Sequence, residues 1–541
     1  MKHADLKDLA GRLLGSVTDN AETLEHFSSD QSLFEAIPTA VVYPQNTADV
    51  RKTIQYAAER TAAGKPITLV ARGKGSEQAG GAVGEGLHVV YPAHMNKLLR
   101  LEHNTVAVQP GIIFNALQQT LHTHGRFIPP YPANMHYATV GGAVSSGSSG
   151  EKSVKYGGIR SWVAGLKVAL SDGSLIQTSR LSARELARKK GLMTLEGELY
   201  RKVDSLLLDN QDTIAAHTHV PDAAGMGYGL RHVRGKNGSF DLSQLFIGAQ
   251  GTLGHITEIT LKTQAYSPRT TLVVGYFDRL AGVGEALARL KQLGASAIEF
   301  ADKGLLEQYR AHRPADLEGI LPDKIPAGVL LVEFDNFSQF AQKLGSTRAG
   351  HVLRRHGATV RVSSDPIEQV VLWKLRRTAV SAWYESGAKP AVPFIEDAVI
   401  PPHELPRLIE KTTKLLKQHS LEAGFWAHAG TGVVRLAPRL DISKKKDITT
   451  LFTLQHQYAE LVVSLGGSPA STHGDGLVRG TLGPAAYGEE LTELMAATKH
   501  IFDPHGIFNP TIKTGATEAY MKAHLRTSYT RRHLHDYHIF S

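Results

Sequence analysis

The 541-residue sequence contains no cysteine. That absence removes disulfides, thiolate metal ligands, iron–sulfur clusters and cysteine nucleophiles from consideration. Aromatic residues are sparse at 7%, and no apolar run reaches the ~18 residues that a membrane-spanning helix needs. The opening stretch, MKHADLKDLAGRLLGS, lacks the apolar core of a secretory leader, so the plain expectation is a cytoplasmic protein. No P-loop pattern occurs, and Gly73 and Gly75 open no dinucleotide fingerprint because the third glycine is missing. Charge is +9 with histidine neutral, modest for this length and spread along the chain. Such a field favours anionic substrates or surfaces. No nucleic-acid recognition motif accompanies it, which argues against that partner class.

The chain is longer than one hydrophobic core supports, so two or three domains are expected. The most informative stretch is residues 139–157, TVGGAVSSGSSGEKSVKYG, with five glycines and five serines. Side chains this small let backbone N–H groups close on a ligand, and successive N–H groups in turns form an anion-binding concavity. A flexible linker has similar composition. Against that reading, a strand-like run (WVAGLKVAL, 162–170) follows at once and the segment is not repetitive. Two further small-residue loops stand at strand ends, ARGKGSEQAGG (71–81) and IGAQGTLGHI (247–256). Three such loops suggest one extended, phosphate-bearing ligand held by backbone.

Patterning predicts a helix within 6–14, a strand at 40–43, and a helix over 48–60 with Thr47 as its cap. Strands follow at 67–70, 87–91 and 105–108 and a helix at 112–124, so the first part should hold a parallel sheet. A hairpin is expected across Asp172–Gly173, helices at 182–190 and 199–210, and a lone strand at 256–262. Residues 270–420 alternate strands (271–276, 297–300, 328–334, 358–362, 392–399) with helices (280–293, 337–356, 369–383, 402–419). Helices at 446–465 and 489–502 complete the ordered part. The tail beyond Thr514 is basic and carries His524, His533, His535 and His538. It reads as a solvated terminus, with a peripheral contact to a membrane's inner face or to a partner as the alternative.

Several phrases, in order along nearly the whole chain, resemble one family. They are PTAVVYPQNTADV (38–50), RGKGS (72–76), TVGG (139–142), Tyr156–Gly157, GAQGTLG (248–254), EDAVIP (396–401), HGDGLVR (473–479) and FDPHGIFNP (502–510). The sequence is identified as a member of the FAD-dependent oxidoreductases of the vanillyl-alcohol oxidase and p-cresol methylhydroxylase superfamily. Within it the chain resembles the branch of glycolate oxidase, D-lactate dehydrogenase and D-2-hydroxyglutarate dehydrogenase. The resemblance implies an α+β fold, with a two-subdomain FAD-binding domain of the p-cresol methylhydroxylase type. An α/β cap, or substrate, domain and a helical C-terminal part should follow. The expected boundaries are a lead-in at 1–35, the FAD domain at 36–267 and the cap at 268–425. A segment at 426–514 would return to the flavin, followed by the tail at 515–541.

By the same resemblance, FAD is held at Arg72, Gly73, Lys74, Gly75 and Ser76, and at Thr139, Gly141, Gly142, Ser146, Ser149, Gly150, Ser153, Tyr156 and Gly157. Gln250, Gly251, Gly254, Ile256 and Asn509 complete the expected set. Relatives that link flavin covalently often carry histidine where Ser76 stands, so dissociable FAD is expected, with His255 the other histidine to check. Arg376, in LWKLRR (372–377), matches the arginine that grips the substrate carboxylate, and Arg377 is its neighbour and fallback. The hydroxy-acid branch carries two metal-binding histidines, a glutamate ligand and a histidine base. Here the matching segments read HAGTGVVR (428–435) and ASTHG (470–474). His428 and His473 remain, Arg435 and Thr472 replace ligands, and arginine cannot ligate a metal. That leaves one imidazole and no carboxylate, so no metal site is expected.

The implied reaction is hydride transfer from the carbinol carbon of a small 2-hydroxy acid to FAD, acting on a CH–OH group. His473 would take the hydroxyl proton, and Arg435, beside His428, would stand in for metal charge at the reacting oxygen. The electron acceptor stays open among oxygen, a quinone and a separate carrier. Two alternatives also stay open. One is a same-fold flavoenzyme acting on a sugar or alditol, or running the redox-neutral ether-lipid synthase reaction; the other is a non-catalytic flavin-binding protein.

Overall fold

Ala40–Tyr43 and Leu69–Arg72 both run parallel to Leu87–Val90, which lies between them, and Ser16–Thr18 adds an antiparallel edge. The computed structural model describes residues 3–217 and 220–531. The helix Thr47–Ala62 covers this four-stranded sheet, and its cap is Asn46, whose side chain accepts from Asp49 N at 3.0 Å. Thr47, the expected cap, is instead the first helical residue. Thr105–Val108 does not join the parallel sheet. It pairs with His255–Lys262, 150 residues later in sequence, inside a second, antiparallel sheet. The order there is Phe240–Asp241, Leu175–Leu181, Val163–Ala169, His255–Lys262, Thr105–Val108, Leu98–Leu101. The hairpin across Asp172–Gly173 forms as its sequence demands: Gly173 sits at φ 77°, and Ala169 faces Leu175.

The third sheet has seven strands, ordered Ala358–Ser363, Thr271–Phe277, Gly328–Phe334, Ala297–Asp302, Ala423–His428, Val433–Pro438, Ala398–Val399. GVLLVEF is buried along its whole length, which explains why it reads as an unbroken apolar run rather than an alternating one. The hairpin of Ala423–His428 and Val433–Pro438 spans residue 425, so the sheet continues past the point where the cap was expected to end. The helix expected across 369–383 is two helices, Pro366–Trp373 and Arg377–Glu385. The chain leaves helical geometry at Arg376 (φ −110°). That break turns Arg376 inward, with a side chain 7% exposed, while Arg377 stays 56% exposed.

The segment after the serine-rich loop clamps the two halves together. Lys152 pairs with Glu333 and with Asp335 (3.2 Å), Lys155 with Asp335 (2.6 Å), and Tyr156 donates to Asp335 at 3.1 Å. Buried ion pairs of this kind add little net stability but are costly to break one partner at a time. The described part of the tail is packed rather than solvated. Leu525 pairs with Phe34, Arg526 N donates to Leu33 O at 2.8 Å, and Met521, Leu525 and Tyr529 are buried. His533, His535 and His538 lie outside the described residues. No helix among the described residues is long and apolar enough to cross a membrane.

Candidate active site

All three small-residue loops open onto one cavity of about 510 Å³ between the two sheets of the first half and the seven-stranded sheet. From the first loop, Arg72, Gly73, Lys74, Gly75 and Ser76 line it. Arg72 is a brace: it is 2% exposed, and its guanidinium donates to Ala82 O (2.8 Å) and Ser29 O (2.6 Å). Lys74 is exposed, its ammonium over the Tyr137 ring. Close approach is built into the second loop. A Cβ on Gly73 would come within 2.6 Å of Thr139 Oγ1, and one on Gly141 within 2.6 Å of Pro110. Thr139 caps the helix Val140–Ser146 by accepting from Gly142 N. Beyond it, the Ser148 and Ser149 hydroxyls are buried on the cavity wall with no hydrogen-bond partner.

From the third loop come Gln250, Gly251, Gly254 and Ile256. Gln250 holds a left-handed conformation (φ 52°), and its amide ties this loop to the catalytic candidate. Nε2 donates to His473 O at 3.3 Å and Oε1 accepts from Gly476 N at 2.8 Å. Ser146 also lines the cavity, whereas Gly150, Ser153, Tyr156, Gly157 and Asn509 do not. Ser153 Oγ accepts from Gly150 N, Tyr156 belongs to the clamp, and Gly157 turns the chain at φ 75°. Asn509 braces the first loop through Gly81 O at 3.0 Å. His255 is buried beside the cavity, bonded through Nδ1 to Tyr91 OH at 2.9 Å. Burial lowers its pKa to about 4.

The opposite wall carries His473, Thr472, Arg435, Trp426, Tyr384, Arg376 and Arg377. His473 Nδ1 lies 2.9 Å from Glu396 Oε1, which leaves Nε2 as the ring nitrogen free for chemistry. Burial pushes the Glu396 carboxyl up, but His473 and Arg479 outweigh it and hold it below the ordinary glutamate value. Asp397 fixes the backbone of the same turn, accepting from Ser471 N (2.8 Å) and His473 N (3.0 Å). Arg435 donates to the Thr472 hydroxyl, which in turn donates to Asp397 at 3.3 Å; Arg435 Nε is buried without a partner.

Two expected site residues are already engaged. Arg376 Nε lies 3.1 Å from Glu299, and Arg377 makes a two-pronged pair with Glu151 at 3.0 and 2.7 Å while stacking on Trp373. His428 shares the sheet face of Trp426 but is not on the cavity wall. It is 2% exposed, with Nδ1 on Glu299 at 2.8 Å, so this catalytic candidate stands behind the wall rather than on it. Glu299, Glu396, Asp397, Glu151, Trp426 and Tyr384 were not singled out from sequence. Only Glu396 and Asp397 stood in a recognised phrase, and nothing local links them to His473, more than seventy positions away.

Residues 38–179 match the family described as FAD binding domain, and residues 267–512 match FAD linked oxidases, C-terminal domain. The chain thus carries an FAD-binding domain followed by a match to the C-terminal domain of FAD-linked oxidases. Curated relatives include D-2-hydroxyglutarate dehydrogenase of Escherichia coli, 28% identical over 500 residues, covering 89% of this chain and 49% of that protein. Glycolate oxidase subunit GlcD of Bacillus subtilis is 24% identical over 496 residues, covering 91% and 92%. The chain thus spans about half the length of the Escherichia coli relative. Among solved structures, p-cresol methylhydroxylase with substrate bound superposes with a TM-score of 0.68 at 13% identity, covering 95% of this chain and 98% of that one. The 4-ethylphenol oxidase of Gulosibacter chungangensis in complex with isoeugenol also gives 0.68, at 14%, covering 96% and 98%. These two share the fold.

FAD is the cofactor of these two domains, and the cavity fits it. Glycine and serine backbone lines three sides, and the two unpartnered serine hydroxyls are donors suited to a pyrophosphate. The metal set of the hydroxy-acid branch does not fit, because a guanidinium and a threonine stand at two of its positions. The sequence count of no carboxylate near His473 is corrected: Glu396, Asp397 and His473 bring ligand atoms within 4.8 Å of one another. Glu396 Oε1 serves the His473 ring and Arg479, and Asp397 Oδ2 accepts two backbone N–H groups, while Glu396 Oε2 is buried without a hydrogen-bond partner.

Proposed function

We propose that this protein oxidises a 2-hydroxy acid to the 2-oxo acid, as the names of its relatives suggest. The observation that carries the reading is the placement of His473, oriented by Glu396, on the wall facing the three glycine loops. Bound FAD supplies the hydride acceptor for the carbinol C–H bond. His473 Nε2 takes the hydroxyl proton, and the Glu396 carboxylate, fixed by Arg479, stabilises the imidazolium that results.

Arg435 receives the anionic end of the substrate. In a 2-hydroxy acid the hydroxyl and a carboxylate oxygen sit side by side, and a guanidinium edge offers two N–H groups to them. Its charge also stabilises the oxygen as the proton leaves. The carboxylate role expected of Arg376 passes to Arg435, because Glu299 already meets the Arg376 charge. Tyr384, Trp426 and Trp373 exclude water from the reacting end. The electrons leave to oxygen, a quinone or a carrier protein; one relative is named for a cytochrome.

Anaerobic mixing of the FAD-loaded protein with 2-hydroxy acids and with polyols tests the proposal. Loss of the oxidised flavin absorbance with hydroxy acids supports it. Bleaching by alditols alone assigns the site to sugar chemistry, and no bleaching with either class removes the oxidoreductase reading.

A further inference from the structure

The charges on the substrate wall count the anions that the substrate can bring. Arg377 is matched by Glu151, Arg376 by Glu299, and Lys374 by Asp316 at 3.1 Å. Among the described residues Arg435 makes no ion pair; its one hydrogen bond is to Thr472, and Nε has no partner. Arg435 meets Asp397 only through Thr472, so one guanidinium without a direct ion pair is left to receive one carboxylate. A second carboxylate would have to lie against the rest of this wall.

Between the paired cations Arg376, Arg377 and Lys374, the rest of the wall carries an apolar strip. Trp426 stands directly across the hairpin from Arg435, so both side chains project from the same sheet face. The Tyr384 ring meets Trp426 edge-on, with centroids 6.1 Å apart. On the neighbouring helix Pro366–Trp373, Ile367, Val370 and Trp373 recur every three residues and form one stripe. Trp373 and Val370 line the cavity, Trp373 buried at 6% exposure and Val370 open at 67%; Ile367, at the outer end, is 78% exposed. The stripe runs from the reacting end to the surface, and solvent-exposed aliphatic side chains leading into a cavity mark a path for an apolar group. A distal carboxylate gains nothing from apolar burial here, and the cations beside the strip, Arg377 and Lys374, are already paired with Glu151 and Asp316.

We propose that the preferred substrate is a 2-hydroxy monocarboxylic acid whose carbinol carbon bears a long alkyl or an aryl chain. This rests on the hydroxy-acid reading above. The carboxylate sits on Arg435, and the chain passes Trp426 and Tyr384 and leaves along Trp373 and Val370. Because the path opens to solvent, chain length is not capped by a closed end.

The test is a substrate series on the full FAD-loaded chain under anaerobic conditions. It compares lactate, 2-hydroxyhexanoate, 2-hydroxydecanoate, 3-phenyllactate and 2-hydroxyglutarate, each as both enantiomers. The second-order rate constant of flavin reduction should rise roughly threefold to fourfold per methylene that enters the path. 2-Hydroxyglutarate should fall below 2-hydroxyhexanoate, and Val370→Asp, at an exposed position where folding is not at stake, should flatten the chain-length dependence. Bleaching that is independent of chain length, strongest with 2-hydroxyglutarate, or unaltered in its length dependence by Val370→Asp overturns this inference and leaves the hydroxy-acid reading intact. Failure of every 2-hydroxy acid to bleach the flavin overturns both.

Discussion

Replacing Arg435 with methionine separates the substrate anchor from the scaffold. Methionine keeps apolar length and deletes the charge. In the resting protein the change removes one hydrogen bond, to Thr472, whose hydroxyl still reaches Asp397, and Asp397 keeps its two backbone donors. The folding cost is therefore about 1 kcal/mol or less. Against substrate the loss is a charge-assisted hydrogen bond, roughly 1.5–3 kcal/mol. At about 1.4 kcal/mol per decade, the substrate dissociation constant rises roughly 10- to 150-fold. Arg376→Met should behave differently. It strands Glu299, 0% exposed and left with His428 alone, and removing one partner of a buried pair costs about 3–5 kcal/mol of stability. The assay is anaerobic flavin reduction against substrate concentration, beside thermal unfolding of both variants. A stable Arg376→Met protein with selectively weakened substrate binding, beside an Arg435→Met protein of unchanged affinity, would put the carboxylate on Arg376 and refute the assignment.

Acid or heat should release intact FAD from the purified yellow protein, since Ser76 offers no imidazole and His255 Nδ1 is held by Tyr91; flavin that stays on the polypeptide through denaturing electrophoresis contradicts this. His255 also predicts an acid limb of stability. Its folded pKa of about 4 lies below the ordinary 6.5, so the unfolded chain binds more protons between those values. The contribution is present above pH 6.5 and is lost as pH falls towards 4, by about 3 kcal/mol at 1.36 kcal/mol per unit. His255→Gln should make the stability profile shallower in that window, as read by denaturant midpoints, and an unchanged profile rules the assignment out.

Much of the fold was legible because its signals are local. GVLLVEF could be read as a buried strand, Asp172–Gly173 as a hairpin turn, and the three glycine loops as one ligand cradle. Thr105–Val108 was assigned to the wrong sheet because nothing near it encodes pairing with His255–Lys262. The candidate site was half legible. His473 and Arg435 stand in recognisable phrases, and both reach the cavity. Neither the pairing of Glu299 with Arg376 and His428 nor that of Glu396 with His473 could be read, since each joins elements far apart in sequence. The helix break at Arg376 was equally hidden. LWKLRR continues a helical pattern, and only the tertiary pull of buried Glu299 explains an arginine turned inward there.

The claim that matters most is that the C–H bond beside the carboxylate is the one broken, at a carbon whose hydroxyl proton goes to His473. The direct measurement is anaerobic flavin reduction by a 2-hydroxy acid deuterated at carbon 2, compared with the protiated acid and repeated with His473→Asn. The expected result is a primary isotope effect on the reduction rate constant, of about 3 or more, and a fall of roughly 10²–10⁴-fold in that constant for His473→Asn. Equal rates for the two isotopologues with reduction still observed, or full-speed reduction without the His473 imidazole, would contradict it.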